Sequence, residues 1–482
     1  MMASFLCWIR AWPVGLGCLV AVVLACAPAQ VAGALEVRVD PERRAQNIFG
    51  FGSGAVFYSN HLLEGVPSKQ RQEVYDWLWT DVDQNLLMFQ TRNDIEKNND
   101  NDDPFRLDRS KLNYKIVDKT ARLLLEAKKR RGDDMVFVAT LYSPPAWLKD
   151  NGKIKGGAFK VDDDKNYLEM AEFVYAYLDR LKTEHGIDVA YLTWANEPDW
   201  DHKQPGTKWR SSDLAKATAL SGDHLRKLVK KTPGMVMPKI IAANTLSVRS
   251  ANRYIKAIAE SRYASAKKNT DVIGFHLYDV NVKPEHYTRL RAFGLPMWMT
   301  EWTGPRNMPK GTKNPVSHSL GQMVGRFEAI HGGSSVIMHF EFGHPNHYSA
   351  GIFLAPWKKP WERDTPYYVW QQMVNRTPQG DHAHLVQTRL EEQDKKWFNR
   401  IAAFTDTKTK KTTVHLVNPS KNDLKQVVLD LSGRRARSAQ VYRTSEGEDH
   451  ALLGPDAASV EGDRVTVSLP AGSFVTVVVD HR

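Results

Sequence analysis

The chain has 482 residues, of which 42% are hydrophobic and 25% are charged, a composition typical of folded rather than disordered proteins. This length predicts two domains, or one large barrel with an added module. The formal net charge is +11, but the basic residues are scattered. No helix-turn-helix, zinc-finger or RNA-binding signature is present, so we expect no nucleic-acid partner.

Residues 1–34 are predicted to be a signal peptide. Arg10 supplies a basic start, the apolar segment "PVGLGCLVAVVLACA" follows, and small residues lead up to Ala34, which is the pattern of an export signal. The apolar segment is short for a membrane span, so we expect a periplasmic or secreted protein with no stable span. Two alternatives stay open: an N-terminal membrane anchor, and a lipid anchor at Cys26, because "VLAC" resembles a bacterial lipoprotein signal.

The three cysteines, Cys7, Cys18 and Cys26, all lie in this leader. A chain cut after Ala34 therefore has no disulfide, no thiol nucleophile and no thiolate metal site. A protein exported without disulfides fits a bacterial periplasm or exterior. Because metal-ligand histidine spacing and phosphate-binding glycine loops are also missing from the sequence, we expect no metal and no cofactor.

From about residue 48, short apolar segments alternate with amphipathic, helix-like ones such as "NYLEMAEFVYAYLDRLK". Continuous apolar strands separated by helices predict a parallel sheet. Eight such units over residues 47–382 predict a (β/α)₈ TIM barrel, with a doubly wound sheet as the alternative. The eight predicted strand segments are "NIFGFGSG", "NLLMFQTR", "DMVFVATLY", "VAYLTWAN", "PKIIAAN", "DVIGFHLY", "LPMWMTEW" and "SSVIMHFEF".

After residue 382 the helical pattern stops. Short segments such as "KTTVHLVNPS", "LKQVVLDLSG" and "GSFVTVVVD" are separated by turn residues, which predicts a C-terminal antiparallel β-sandwich over residues 383–482. Residues 35–46 also read as a strand, and we expect this strand to pair into the sandwich. Because no low-complexity linker separates the two parts, we expect them to pack tightly. We also expect a monomer.

In a (β/α)₈ barrel the active site lies where the strands end. Glu197, in "TWANEPDW", follows the fourth predicted strand, and Glu301, in "MWMTEW", ends the seventh. Two carboxylates facing one pocket are what cleavage of a glycosidic bond requires, one to protonate the leaving oxygen and one to attack the anomeric carbon. A single strand-end glutamate is often a helix-cap partner or a loop salt bridge, but the two together favour catalysis.

Four further residues flank these strand ends. Asn196 precedes Glu197, and Trp302 follows Glu301. His276 and Tyr278 end the sixth predicted strand; aromatic residues there are also common in packing, so the binding interpretation competes with a structural one.

The sequence resembles glycoside hydrolase family 30, within the clan of retaining (β/α)₈ glycosidases. The resemblance covers nearly the whole chain after the leader, and "SPPAWLKDNG" is its most family-specific stretch. The other matching segments are "NIFGFGSGAVF", "TWANEPDW", "HLY", "MTEW" and "TPYYVWQQMVNRTPQG".

The resemblance implies a role for each matched residue. Glu197 would be the acid/base and Glu301 the nucleophile. Asn196 would hydrogen-bond the sugar 2-hydroxyl, and Tyr278 would orient Glu301. The implied partner is a β-linked glycan. The residues predicted to bind it are Asn196, Trp147, Trp194, His276, Tyr278 and Trp302.

Two loops depart from the family pattern. "FQTRNDIEKNNDNDDP", after the second strand, lacks the expected glycine-rich aspartate motif, so Arg92 or Asn93 would replace its contacts. "HFEFGHPNHYSAGIFLAPW", after the eighth strand, also departs from the family pattern. Because these loops shape the subsites, the exact glycan, its linkage and exo or endo action stay open.

Three functions remain in competition. The first is hydrolysis of a neutral β-glucan, a β-glucoside or xylan. The second is the same reaction on an acidic glycan, which lysines near the third strand would favour unless they are simply solvated. The third is glycan binding without catalysis. Those lysines are Lys149, Lys153, Lys155 and Lys160.

Overall fold

The computed structural model describes residues 34–56, 61–279, 282–304, 316–345 and 351–482. The predicted signal peptide, including Cys26, lies outside the described residues except for Ala34. Leu35–Arg482 form one compact unit. None of the helices in the described ranges combines the length and the apolar character that crossing a membrane requires.

Strands and helices alternate through most of this unit. The strands are β1 Leu35–Ile48, β2 Gly50–Ala55, β3 Leu86–Gln90, β4 Val136–Thr140, β5 Tyr191–Thr193, β6 Lys239–Thr245, β7 Val272–His276, β8 Met297–Glu301, β9 Ser334–His339, β10 Glu341–His344, β11 Gly351–Leu354, β12 Gly380–Leu390, β13 Ile401–Asp406, β14 Lys411–Asn418, β15 Leu424–Asp430, β16 Ala436–Ser445, β17 Glu448–Leu452, β18 Ala458–Glu461, β19 Arg464–Leu469 and β20 Ser473–His481. The α-helices are α1 Arg71–Trp79, α2 Lys115–Arg131, α3 Lys165–His185, α4 Ser211–Leu228, α5 Val248–Ala259, α6 Ser265–Lys268, α7 Pro284–Arg291, α8 Val316–Gly332 and α9 Thr365–Arg376.

Strands β2 to β9 form a closed parallel barrel. The barrel closes where β2 pairs with β9, so that Gly50 lies opposite Val336, while the other edge of β2 pairs with β3. Each of the eight apolar segments predicted to be a strand contributes one barrel strand, and the predicted TIM barrel is confirmed.

Side chains alternate between two cores along each barrel strand. On β3, Leu86 and Met88 belong to the cluster inside the barrel, whereas Leu87 and Phe89 pack into the cluster between the strands and the helices. This alternation follows from the two-residue period of a strand. Because both faces are covered, the strands are apolar throughout, as the sequence indicated.

Ten of the remaining strands form one sheet, and β10 and β11 form a separate two-stranded sheet. The larger sheet consists of β1 and the C-terminal strands from β12 onward. The alternating pattern of β1 buries Leu35, Val37 and Val39 and exposes Glu36 and Arg38. Strand β1 pairs antiparallel with β12 and parallel with β15. The predicted C-terminal β domain with the N-terminal strand in it is confirmed, but its strands are joined in one sheet that curls over its own core. The C-terminal strands of the sheet start at Gly380, slightly before the predicted boundary at residue 383. Strand β1 continues to Ile48, beyond the predicted end at residue 46.

The barrel and the sheet share a core. Gln372 of α9 donates to the Phe474 carbonyl at 3.1 Å and to Thr476 Oγ1 at 2.8 Å, and it accepts from Thr444 Oγ1 at 2.6 Å. Phe474 and Phe404 of the sheet belong to the same apolar cluster as the barrel helices. A buried amide with satisfied partners inside a continuous core fixes the two parts relative to each other.

Candidate active site

Two glutamates face each other where the barrel strands end. Glu301 is the last residue of β8, and Glu197 lies just beyond the end of β5. Both are almost fully buried, and one carboxylate oxygen of each lies within 4.8 Å of the other. Retaining glycosidases hold their two carboxyl groups about 5–5.5 Å apart, whereas inverting enzymes need about 6.5–9.5 Å to fit a water molecule. The spacing here matches the retaining geometry.

Two tyrosine hydroxyls hold Glu301. Tyr278 donates to Oε1 at 3.0 Å, and Tyr142 donates to Oε2 at 3.1 Å. The pKa of Glu301 is raised to about 7, chiefly by burial and also by the charge of Glu197, against the lowering effects of His276 and of the two hydroxyl donors. A hydrogen bond to the ionised form of a carboxyl group favours that form. The two tyrosine hydroxyls therefore stabilise the ionised form of Glu301, which is the form that can act as a nucleophile.

His276 lies between the two glutamates and is fully buried. Its Nδ1 is 3.0 Å from Glu197 Oε1 and 3.7 Å from Glu301 Oε1. The same ring nitrogen therefore hydrogen-bonds Glu197 and lies close to Glu301. The charge of Glu197 also raises the pKa of Glu301.

Glu197 is held in a strained backbone conformation, with φ at +45°, which costs a residue other than glycine about 1–3 kcal/mol. Its N–H donates to the Asn244 carbonyl at 2.9 Å. Its carbonyl accepts from the Trp200 N–H at 3.0 Å and from His202 Nε2 at 3.1 Å. These bonds hold the turn that aims the carboxylate into the barrel.

Asn244, at the end of β6, links three strand ends and is fully buried. Its Nδ2 donates to the Asn196 side chain at 3.3 Å and to the Ala195 carbonyl at 3.1 Å. Its Oδ1 accepts from Thr300 Oγ1, next to Glu301, at 2.6 Å. Asn244 itself has φ at +48°, which places a second strained residue directly behind the glutamates.

In the described ranges, Glu197, His276 and Glu301 are the group whose ligand atoms are close enough together to hold a metal ion. The same atoms are already engaged, because Tyr278 donates to the Glu301 oxygen nearest His276. Hydroxyl donors on both oxygens of Glu301 fit a free carboxylate better than a metal ligand. The arrangement therefore favours carboxylate chemistry without a metal.

The predicted tryptophans do not join this cluster. Trp194 and Trp302 are 2% and 6% exposed and belong to the core, and the Trp302 ring packs so closely on Gly325 of α8 that an added Cβ would lie 2.1 Å from it. Trp147 is half-buried in the short turn after β4. Substrate contact by these three residues stays a prediction.

Two buried polar residues near the site, Tyr142 and Glu341, were not predicted. Tyr142 lies just beyond β4, as Tyr278 lies just beyond β7, and the sequence carries a signal for it: "LY" follows the strand end in both places. Glu341, on β10, accepts from the Val56 N–H at 3.1 Å, and its charge acts on Tyr142. Nothing in its segment distinguishes this glutamate before the chain is folded.

The basic loop after β4 differs from the sequence-based interpretation. Lys149 is fully buried, and its ammonium donates to the Gly206 carbonyl at 2.5 Å and to the Ile154 carbonyl at 3.3 Å. Burial lowers its pKa to about 8. Lys149 therefore fastens the loop rather than offering charge to an acidic glycan. Lys153, Lys155 and Lys160 are exposed.

Known proteins resemble this chain in sequence over a limited segment. No family model matches the sequence. An endo-1,6-β-D-glucanase from Neurospora crassa is 25% identical over 184 residues, which are 36% of this chain and 38% of that protein. The match thus spans well under half the length of this curated relative.

Solved structures match over most of the chain. The catalytic domain of family 30 xylanase C from Talaromyces cellulolyticus aligns with a TM-score of 0.72 at 16% identity, covering 92% of this chain and 100% of that one. An endo-β1,6-glucanase aligns at 0.66 and 15% identity, covering 92% and 95%. A family 39 β-xylosidase from Caulobacter crescentus aligns at 0.58 and 11%, covering 93% and 100%. These matches establish the fold, and the resemblance to glycoside hydrolase family 30 is confirmed at that level.

Proposed function

We propose that the protein is a secreted retaining β-glycoside hydrolase. The observation that carries this proposal is the pair of buried glutamates, with carboxylate oxygens within 4.8 Å, one of them held by two tyrosine hydroxyls. A glycan-binding protein without activity needs no such pair, because two like charges so close together disfavour each other. The repulsion between the two carboxylates is useful in a site that needs one carboxyl group protonated and the other ionised.

The reaction runs in two displacements. Glu301 attacks the anomeric carbon while Glu197 gives its proton to the leaving glycosidic oxygen, which forms a covalent glycosyl-enzyme. Glu197, now ionised, takes a proton from water, and the water oxygen replaces Glu301 at the anomeric carbon. Two inversions give net retention. Tyr142 and Tyr278 stabilise the Glu301 anion before the attack and again when it leaves.

The substrate we propose first is β-1,6-linked glucan. The curated relative and one of the matched structures are named as endo-β-1,6-glucanases. Xylan is the second candidate, because several matched structures are xylanases. An acidic glycan has less support, since Lys149 is buried inside the loop that would have offered its charge.

The test is digestion of β-1,6-glucan, β-1,3-glucan and xylan, with product size read by mass spectrometry and anomeric configuration by NMR. We expect β-anomeric products, formed first from the β-1,6-linked polymer. Oligosaccharides of mixed length would indicate endo action, and monosaccharides alone exo action. Products that appear first as the α-anomer would refute the retaining mechanism, and inactivity on every β-glycan and aryl β-glycoside would refute the proposed function.

Export is proposed on the leader sequence alone. Cleavage after Ala34 would release a chain without cysteine, whereas lipidation would require Cys26 at the mature N-terminus. Expression in a bacterium, followed by the intact mass and N-terminal sequence of the exported protein, separates the two. A protein that stays in the cytoplasm, with an intact mass that still includes the leader, would contradict export.

A further inference from the structure

Lys149 is a fully buried cation. In the described part of the chain, its ammonium donates to three neutral oxygens: the Gly206 carbonyl at 2.5 Å, and the Ile154 carbonyl and Ser143 Oγ at 3.3 Å each. Burying an ammonium without a paired carboxylate is unfavourable, and an apolar side chain of similar volume would avoid that cost. Packing alone therefore does not explain why a lysine occupies this position.

The ammonium joins two loops at the rim of the barrel. We call residues 141–164, between β4 and α3, the β4 loop, and residues 194–210, between β5 and α4, the β5 loop. The Gly206 carbonyl belongs to the β5 loop, whereas the other two acceptors belong to the β4 loop. Beside the ammonium, the Gly206 N–H donates to the Ile154 carbonyl at 3.1 Å. Lys149 therefore lies at the junction that holds the β5 loop against the β4 loop.

The β5 loop also carries a contact that holds Glu197. The His202 ring lies so close to Gly206 that a Cβ added to this glycine would be 2.3 Å from His202 Cγ. His202 Nε2 donates to the Glu197 carbonyl at 3.1 Å, and Gln204 Nε2 donates to His202 Nδ1 at 3.4 Å, which places the proton of the neutral ring on Nε2. A chain of direct contacts thus runs from the Lys149 ammonium through Gly206 and His202 to Glu197.

We propose that Lys149 positions Glu197 for its role as the acid/base, acting through Gly206 and His202. This inference rests on the proposed function, in which Glu197 protonates the leaving oxygen. Because Glu197 has φ at +45°, its turn persists only while the surrounding bonds hold it. Without the ammonium, the Gly206 carbonyl loses this buried donor, and the His202 ring loses the support that keeps it against the Glu197 carbonyl. The carboxyl group then shifts away from the leaving oxygen.

The nucleophile is held by different residues. Glu301 ends β8, and its two oxygens accept from Tyr278 and Tyr142. Loss of the ammonium should therefore weaken protonation of the leaving group more than nucleophilic attack. A leaving group that needs no proton reports the attack alone, whereas a sugar leaving group reports both steps. This difference separates positioning of Glu197 from a loss of folded protein, which would lower both rates equally.

The experiment compares Lys149→Met with the wild type on two substrates. One is a β-1,6-linked gluco-oligosaccharide, whose leaving group is a sugar hydroxyl, and the other is dinitrophenyl β-gentiobioside, whose leaving group needs no proton. We expect kcat/KM to fall about tenfold or more on the oligosaccharide and by less than about threefold on the dinitrophenyl glycoside. Lys203→Met is the matched control, because it removes an equal charge from an exposed position of the β5 loop, and both rates should stay near those of the wild type.

Chemical rescue tests whether the ammonium itself is responsible. Residues 35–482 contain no cysteine, so Lys149→Cys would give this chain a single thiol. Alkylation with bromoethylamine in mild denaturant, followed by refolding, rebuilds a side chain of lysine length that ends in an ammonium. This treatment should restore most of the rate on the oligosaccharide, relative to wild type treated in the same way. Alkylation with iodoacetamide, which adds a neutral amide, should not restore it.

Hydrogen exchange supplies a measurement that needs no activity. The Trp200 N–H donates to the Glu197 carbonyl, so Lys149→Met should speed its exchange about tenfold, while Lys203→Met should not. Unchanged exchange would overturn the proposal, even for a wild type that cleaves no glycan, a result that by itself refutes the proposed function. Equal loss on both substrates, wild-type rates in Lys149→Met, or equal rescue by the neutral amide would also overturn it. If Lys149→Met does not fold, the two alkylated forms of Lys149→Cys take its place.

Discussion

Glu197 shows how a single residue is made reactive at the expense of local stability. It is buried beside a second carboxylate and precedes Pro198 in a backbone conformation that residues other than glycine rarely adopt. Each of these features is unfavourable for folding. They persist because Asn244, Trp200 and His202 hydrogen-bond the backbone of this one residue.

Glu197→Gln should lower hydrolysis of substrates with poor leaving groups by about 10²- to 10⁴-fold, because the leaving oxygen then has no proton donor. An aryl glycoside with a good leaving group should keep the first step, and azide should restore its turnover by replacing the activated water. Steady-state rates with and without azide check this. Glu285→Gln, an exposed residue of α7, is the matched control. Equal loss on both substrates with no azide effect would exclude Glu197 as the acid/base.

At the scale of elements, the barrel strands supply the site through their ends. Residues at the ends of β4, β5, β7 and β8 meet because parallel strands of a closed barrel terminate at one rim. Asn244 of β6 connects two of these ends, since it hydrogen-bonds both the Asn196 side chain and Thr300. It touches neither carboxylate and acts as a positioning residue.

Asn244→Ala should lower kcat/KM about 10- to 100-fold, since a displacement of about 1 Å costs about this much. It should also lower the melting temperature, because a buried network loses its centre. Asn244→Gly is the control: it removes the same amide, but it tolerates the positive φ. We therefore expect equal loss of activity in both variants and a smaller loss of stability in Asn244→Gly. Wild-type activity in Asn244→Gly would show that the amide does not position the glutamates.

At the scale of the whole molecule, the sheet packs against the barrel through a buried interface. His415 of β14 is fully buried, its Nε2 lies 2.8 Å from Thr377 Oγ1, and its ring stacks on Phe327 of α8 at 6.0 Å. Burial lowers the pKa of His415 to about 3, so it stays neutral in this interface. Strand β1 joins the sheet before the chain enters the barrel, so segments that precede and follow the barrel in the sequence pair in one sheet.

Removing residues 383–482 should leave an insoluble or strongly destabilised barrel. The cut exposes the apolar surface around Phe327, leaves β1 without most of its partners and strips Gln372 of its hydrogen bonds. Soluble yield, thermal unfolding and activity on an aryl glycoside measure the effect. Co-expression of 383–482 as a separate chain is the control and should recover part of the soluble protein. A truncated barrel that is soluble and fully active would show that the sheet is an independent module.

The sequence by itself determined the eight barrel strands, because a strand covered on both faces must be apolar along its whole length. It also predicted that Glu197 and Glu301 lie together, because residues at the ends of parallel strands in one barrel share a rim. Only the tertiary structure decided that Tyr142 joins Tyr278 on the Glu301 carboxylate and that Lys149 is buried. Those features depend on which distant segments meet, and the local pattern of a segment carries no information about its partners.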